Sequence, residues 1–186
     1  QLSSLFKSSS SVISTINEGL ESVYHMINEN LNGGKPLTGT PTGFEKIDNK
    51  SGGLQKSDLI IIAGETSQGK TSLAVSIMRN AASLGAKVAM YSMEMKKEQI
   101  TARILSMESG VPANEIMYSR LTESQLQSVD KGIGKISGKG IYFDDRSTSN
   151  IDTILSSIRY MKLKFGIDGA IVDYLQILNV NMKGAN

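Results

Sequence analysis

Apolar residues near the start of the chain recur at steps of three and four, which is the spacing of one helix face. The stripe comprises Val12, Ile16, Leu20, Val23, Ile27 and Leu31. It follows serine-rich residues 1–11, whose composition predicts a flexible lead-in, and it ends at the stop signal Asn32-Gly33-Gly34. We therefore predict an amphipathic helix whose apolar face packs on its own core or on a neighbouring molecule.

From residue 58 onward, short apolar runs alternate with longer amphipathic segments. The short runs predict strands over residues 58–63, 87–93, 140–144 and 169–175. The longer segments predict helices over residues 70–84, 96–108, 121–136 and 151–164. Thr122, in a capping box with Gln125, and Asn150 are the predicted caps of the last two helices. This alternation predicts an α/β fold, with a mostly parallel sheet flanked by helices on both faces.

Composition excludes several classes of protein. The chain has 186 residues, which suffices for one hydrophobic core, and it contains no cysteine. A disulfide scaffold, a cysteine zinc site and a cysteine nucleophile are therefore excluded, and the single histidine, His25, argues against a histidine metal site. The net charge of +2 neither predicts nor excludes nucleic-acid binding. Because the chain begins with Gln1, we expect it to be part of a longer protein.

No apolar stretch reaches the length of a membrane span, and no signal-peptide pattern is present. We therefore expect a cytoplasmic protein without a membrane partner.

The strongest chemical signal is the segment GETSQGKT at residues 64–71, which fits the P-loop pattern G-x-x-x-x-G-K-[ST]. It leaves a predicted strand and enters a predicted helix, so its N–H groups and the helix dipole can face phosphate. Lys70 would neutralise the β- and γ-phosphates of ATP, and Thr71 would bind Mg²⁺. The alternative is an ordinary glycine turn. The predicted nucleotide-binding residues are Gly64, Glu65, Thr66, Ser67, Gln68, Gly69, Lys70 and Thr71.

Acidic residues follow the other predicted strands, at the sheet edge where α/β proteins bind ligands. Asp173 is predicted to hold Mg²⁺ directly or through water; the alternative is a capping role. Glu94 is predicted to be the general base that acts on the attacking water; the alternative is a helix N-terminal charge. Asp144 and Asp145 are interpreted as capping and structural residues.

Several segments together resemble one known family. They are TGF at residues 42–44 with Ile47 and Asp48, GGL at 52–54, the run 58–64, YSMEM at 91–95 with Gln99 and Arg103, and VDYLQ at 172–176. From about residue 37 to 178 the chain resembles the C-terminal motor domain of the DnaB-family replicative helicases, which are RecA-like ATPases. Two positions depart from the family: Ser57 replaces a frequent glycine, and Glu65 replaces a frequent arginine.

The resemblance implies a domain organisation and a set of partners. Residues 1–36 would be a lead-in and a linker helix that packs on the adjacent subunit of a homo-hexamer. Residues 37–186 would be a RecA-like ATPase domain that lacks its C-terminal part, including DNA-binding loops and an arginine finger. The implied ligands are ATP, Mg²⁺ and single-stranded DNA at a replication fork, and the implied protein partners are a primase and a helicase loader.

The implied activity is duplex unwinding driven by ATP hydrolysis, with Glu94 and Lys70 as the catalytic residues. Two alternatives stay open. One is a RecA- or RadA-like recombination or repair ATPase, although the segment at residues 172–176 argues against it. The other is a non-motor module that uses ATP only to gate a protein contact through the helix over residues 12–31.

Overall fold

The computed structural model of the chain describes residues 15–31, 38–65, 67–144, 146 and 150–173. The chain divides into two compact units, Gln1–Pro36 and Leu37–Asn186. None of the helices in the described ranges is both long and apolar enough to span a bilayer.

The described part of the first unit is helix α1 (Ile16–Leu31). Its start is a capping box, because Thr15 Oγ1 accepts the N–H of Glu18 at 3.3 Å and Glu18 Oε2 accepts the N–H of Thr15 at 2.6 Å. The predicted apolar stripe lies on this helix, and its members from Ile16 to Leu31 are 49–78% exposed. Val12 lies outside the described residues.

The second unit contains the remaining elements in the described chain. Its helices are α2 (Glu45–Ser51), α3 (Lys70–Ser83), α4 (Lys97–Ser109), α5 (Ala113–Tyr118), α6 (Glu123–Ile136) and α7 (Ile151–Phe165). Its strands are β1 (Val88–Ser92), β2 (Ile141–Asp144) and β3 (Gly169–Asp173). The predicted caps are confirmed: Thr122 forms the capping box with Gln125, and Asn150 accepts the N–H of Asp152 at 2.8 Å. Helices α2 and α5 were not predicted, because each is too short to show a helical period.

The strands form a parallel sheet in the order β2-β1-β3. The central strand is buried along its whole length, and its alternating side chains contact two cores. Val88 and Met90 pack with residues of α3 and α4 on one face, whereas Ala89 and Tyr91 pack with residues of α7 on the other. The predicted α/β architecture is confirmed: parallel strands lie between helices.

The predicted buried strand over residues 58–63 is wrong for the described structure, where these residues form no strand. Leu59 to Ile62 are 39–84% exposed. An apolar run becomes a buried strand only when neighbouring strands bond to it and helices cover it. No strand in the described ranges pairs with this segment.

The turn at residues 42–43 is held by the buried carboxylate of Asp48. Asp48 accepts hydrogen bonds from Thr42 N at 2.9 Å, Thr42 Oγ1 at 2.7 Å and Gly43 N at 3.0 Å. Asn80 of α3 donates to the carbonyl of Thr42 at 3.2 Å, so this turn is tied to the helix that follows the P-loop. Gly43 has a φ of +76°, and a Cβ there would lie 2.4 Å from Cβ of Asn80. Ser57 has a left-handed φ of +72°, a backbone conformation that favours glycine.

Candidate nucleotide-binding site

The P-loop residues make a tight turn before α3. Gly69 precedes the helix with a left-handed φ of +84°, and a Cβ built there meets no atom within 4 Å. Glycine is therefore favoured at this position by its backbone conformation and not by lack of space. Ser67 also has a positive φ, of +67°, which is strained for a residue with a side chain. The sequence alone contained no signal for that strain.

The N-terminus of α3 is open to an anion. Its capping residue is Gly69, and no side chain caps the helix. The first N–H groups of a helix have no partner within the helix, and the helix dipole places partial positive charge there. The combination of an uncapped helix start and a preceding tight loop is suited to phosphate oxygens.

Lys70 is held within this loop. Its ammonium donates to the carbonyl of Gly64 at 2.8 Å and to that of Glu65 at 2.7 Å. Among the described residues it forms no ion pair with a carboxylate. The positive charge of Lys70 therefore stays available to a negatively charged ligand. Gln68 also closes the loop, because its N–H reaches the carbonyl of Glu65 at 3.3 Å.

The structure brings together Thr71 and Asp173, which are 102 positions apart in the sequence. Thr71 Oγ1 donates to Asp173 Oδ2 at 2.7 Å. Thr71 is the second residue of α3, and Asp173 ends β3, so the contact joins the P-loop helix to the carboxyl edge of the sheet. Within the described chain, Asp173 has no cationic partner.

The donor set at this contact fits Mg²⁺ that arrives with a nucleotide. A hydroxyl and a carboxylate are hard oxygen ligands, and Mg²⁺ commonly takes one or two protein ligands together with phosphates and water. No cluster of three or more potential ligands from histidine, cysteine, aspartate and glutamate occurs in the described ranges. Thr71 and Asp173 therefore fit a metal site whose other ligands are phosphate oxygens and water better than a site built from protein ligands alone.

Glu94 lies just beyond the carboxyl end of β1. The strand ends at Ser92, which is in register with Asp173, and the N–H of Met93 donates to the carbonyl of Asp173 at 3.0 Å. The Glu94 carboxylate is exposed and makes no hydrogen bond or ion pair with the described residues. It thus occupies the same edge of the sheet as Asp173, next to the strand that ends there.

Three features predicted for this edge of the sheet and the P-loop lie outside the described residues. They are Thr66 of the P-loop, Asp145 after β2, and residues 174–176 of the VDYLQ segment.

A polar network at the end of β2 was not predicted from the sequence. Asp144 accepts from Arg146 Nε at 2.8 Å and from Ser157 Oγ at 2.7 Å, and a second Arg146 nitrogen completes a bidentate pair. Tyr91 donates to Ser157 Oγ at 3.2 Å. The Arg146 guanidinium holds the pKa of Asp144 at about 2, and burial raises the pKa of Tyr91. A signal was present, since a cation two residues after a strand-end aspartate can fold back onto it.

Most of the chain is similar in sequence to known proteins. Residues 39–186 match the sequence model of the DnaB-like helicase C terminal domain. The chain is 33% identical over 173 residues to the replicative DNA helicase DnaC of Bacillus subtilis, covering 92% of this chain and 38% of that protein. It is 35% identical over 143 residues to the replicative DNA helicase DnaB of Geobacillus stearothermophilus, covering 76% and 32% respectively. The chain therefore spans about a third of the length of these relatives.

Two solved structures are also similar. One, described as an ATPase domain, superposes with a TM-score of 0.81 at 26% identity, covering 94% of this chain and 62% of that one. A DnaB-like replicative helicase, described together with its interactions with primase, superposes with a TM-score of 0.78 at 26% identity. That match covers 99% of this chain and 45% of the other.

Proposed function

Because this chain belongs to the family of the DnaB-like helicase C-terminal domain, we propose that it is the ATP-hydrolysing motor of a replicative DNA helicase. Its parallel sheet between helices is the RecA-like fold of its structural neighbours, as the sequence resemblance predicts. The proposed activity of the whole protein is translocation along single-stranded DNA with unwinding of the duplex during DNA replication.

The observation that carries the proposal is the hydrogen bond of 2.7 Å between Thr71 and Asp173. A chance P-loop-like turn would have no reason to meet a carboxylate at the end of a strand 102 positions away. In a nucleotide-binding P-loop the two groups must lie close together, because the hydroxyl and the carboxylate share the metal that accompanies the phosphates.

Each site residue has a separate task in this proposal. The N–H groups of residues 64–69 and the Lys70 ammonium would bind the phosphates of ATP. Thr71 and Asp173 would hold Mg²⁺, which when bound neutralises charge on the phosphates. Glu94 would orient the attacking water and accept its proton, since its exposed carboxylate lies at the same sheet edge and is not occupied by another described group.

We also propose the partners that such a motor needs. Single-stranded DNA is the proposed track, and a primase and a helicase loader are proposed protein partners. One structural neighbour is a helicase described with its primase interactions, which supports the first of these protein partners. The proposed compartment is the cytoplasm.

The first unit is proposed to be a linker helix for a homo-hexamer, preceding an ATPase domain over residues 37–186. In α1, the apolar residues of one face stay 49–78% exposed. A helix of this length gains most of its stability from packing its apolar face, so we propose that the face docks on an adjacent subunit.

The central experiment compares Lys70→Ala with Glu94→Gln in the intact protein. Lys70→Ala should weaken ATP binding about 10- to 100-fold, because a charge-assisted contact to phosphate is lost. Glu94→Gln should retain ATP binding within about twofold and lose about 100-fold or more of DNA-stimulated hydrolysis. Nucleotide titration and phosphate release measure the two effects. Glu98→Gln, which removes an exposed acidic charge four residues away, is the matched control and should be unaffected.

The outcomes separate the proposal from its alternatives. Unchanged ATP affinity in Lys70→Ala would contradict the P-loop assignment. DNA-stimulated hydrolysis that survives Glu94→Gln would contradict the assigned base, and an intact protein without any DNA-stimulated hydrolysis would favour the ATP-gated module. Strand exchange without unwinding would favour a recombination ATPase.

The linker proposal has its own test. Leu20→Asn combined with Ile27→Asn should lower the oligomeric mass of the intact protein in light scattering while the thermal transition persists. Ser22→Asn combined with Glu29→Asn changes α1 outside the apolar stripe and should leave the mass unchanged. Loss of the cooperative transition in the first variant would instead mean that α1 packs on its own domain.

A further inference from the structure

Ser92 links the end of β1 to the turn that carries Glu94. Its side chain is buried, with 6% of the residue exposed, and its Oγ accepts the N–H of Met95 at 3.0 Å. The hydroxyl therefore closes a turn over residues 92–95, a local side-chain-to-backbone bond that serine is well suited to form. Glu94 is the residue inside this turn next to the bonded N–H.

A second bond holds the other side of Glu94. The N–H of Met93 donates to the carbonyl of Asp173 at 3.0 Å, which continues the pairing of β1 with β3 by one residue beyond the strand. The backbone groups on both sides of Glu94 are thus fixed, one to the strand that ends in Asp173 and one to Ser92.

The Glu94 carboxylate has no partner of its own among the described residues. The backbone of the turn therefore sets where this side chain leaves the chain, and no hydrogen bond from the described residues constrains its carboxylate. Any loosening of the turn would be transmitted directly to this side chain. The paired residues Ser92 and Asp173 also lie side by side in the sheet, so the turn is anchored next to the Thr71–Asp173 contact.

We propose that Ser92 is a positioning residue for hydrolysis, which acts by holding Glu94 at the distance and orientation that the attacking water requires. This inference rests on the proposed function, because it assumes that Glu94 is the base. Small displacements of a catalytic group are costly: a misplacement of about 1 Å can lower a rate about 100-fold. Loss of the Ser92 hydroxyl should therefore lower turnover and leave nucleotide binding unchanged.

The test is Ser92→Ala in the intact protein, assayed with saturating ATP and single-stranded DNA. We expect kcat for hydrolysis to fall about 10- to 100-fold while the Kd for ATP stays within about twofold. Ser92→Thr retains the hydroxyl and should recover most of kcat. Ser109→Ala is the matched control, because Ser109 Oγ likewise accepts a backbone N–H, that of Val111 at 3.2 Å, at the end of α4. It should lower thermal stability to a similar extent and leave kcat unchanged.

A double variant separates positioning from a general structural role. If Ser92 acts through Glu94, adding Ser92→Ala to Glu94→Gln should cause no further loss of kcat. Additive losses would overturn the inference, as would a kcat for Ser92→Ala equal to that of Ser109→Ala while Glu94→Gln is strongly impaired. An unimpaired Glu94→Gln would instead contradict the assigned base and hence the proposed function. If Ser92→Ala does not fold, Ser92→Cys keeps a similar size with a weak acceptor, and full kcat in that variant would overturn the inference.

Discussion

The carboxyl ends of β2 and β3 both carry an aspartate at the same edge of the sheet, yet the two carboxylates have different surroundings. Asp144 is paired with Tyr91 of β1, and Asp173 is paired with Ser92, one residue further along the same strand. Asp144 is held by a bidentate pair with Arg146 and by the hydroxyl of Ser157. Asp173 accepts only the hydroxyl of Thr71 from described side chains.

This difference separates a structural carboxylate from one that is available to a ligand. The negative charge of Asp144 is balanced by Arg146, so the residue contributes to stability. The charge of Asp173 has no described counterion, and it lies against the first turn of the P-loop helix. Position at the end of a parallel strand is therefore insufficient to assign a function, whereas the charge balance around the carboxylate distinguishes the two residues.

The largest expected effect comes from removing the charge of Asp173. Asp173→Asn should lower the rate of ATP hydrolysis by the intact protein about 100-fold or more, because the proposed metal loses a charged ligand. The Mg²⁺ concentration for half-maximal hydrolysis should also rise. Both quantities are measured by phosphate release in a magnesium titration.

Asp144→Asn is the matched control for this experiment. It makes the same chemical change at the end of the neighbouring strand, and it should leave the half-maximal Mg²⁺ concentration unchanged. Equal shifts in the two variants would contradict the assignment of different roles.

A smaller effect is expected on the free energy of unfolding, where Asp144→Asn should be the more damaging of the two substitutions. Asp144→Asn should lower the free energy of unfolding by about 1–2 kcal/mol, because the buried hydroxyl of Ser157 loses a charged acceptor, whereas the exposed Arg146 loses only a solvent-screened pair. Asp173→Asn keeps an oxygen that can accept from Thr71 and should cost less than about 1 kcal/mol. Calorimetric thermal unfolding of the intact protein measures this ranking. An Asp144→Asn variant that is more stable than the Asp173→Asn variant would refute it.

The smallest expected effect is the dependence of this stability on acid. The pKa of Asp144 is about 2 in the folded protein, below its ordinary value of 3.8, because Arg146 stabilises the carboxylate. The unfolded chain therefore binds the proton more readily, so the contribution is complete above about pH 4 and is lost as the pH falls through about 2. The difference in melting temperature between the natural sequence and Asp144→Asn should shrink over that range.

Arg146→Gln provides the control for the pH experiment, because it removes the main cause of the lowered pKa. This variant should lose less stability than the natural sequence as the pH falls through the same range. If the difference in melting temperature between the natural sequence and Asp144→Asn stays constant from pH 5 to about pH 2, the proposed link between Asp144 ionisation and stability is contradicted.

The candidate site was predictable from the sequence as far as its residues are neighbours along the chain. Residues 64–71 are consecutive, so the loop, the helix start and the placement of Lys70 follow from one local motif. Asp173 and Glu94 were expected at the sheet edge because parallel strands share that edge. The hydrogen bonds of Asp144 to Arg146 and Ser157, and of Ser92 to Met95, were not predicted, since an isolated aspartate or serine has many local partners.

Two apolar runs show the limit of the same reasoning for the fold. Residues 58–63 and residues 87–93 both show the pattern of a buried strand. The second run became β1, which has strands on both sides and helices on both faces. The first has no described partner strand and stays exposed. Burial of an apolar run depends on what pairs with it, and that information lies in distant parts of the chain.

The sequence by itself determined the five longer helices, the caps Thr122 and Asn150, three of the four predicted strands, and the P-loop with its lysine and threonine. These features depend on hydrogen bonds and side-chain periodicity within a few residues, so they can be inferred from local order. Only the tertiary structure decided the order β2-β1-β3, the contact of Thr71 with Asp173 and the bond from Ser157 of α7 to Asp144. Strand pairing and burial bring residues together across the chain, and these contacts determine which strand-end carboxylate remains available to a ligand.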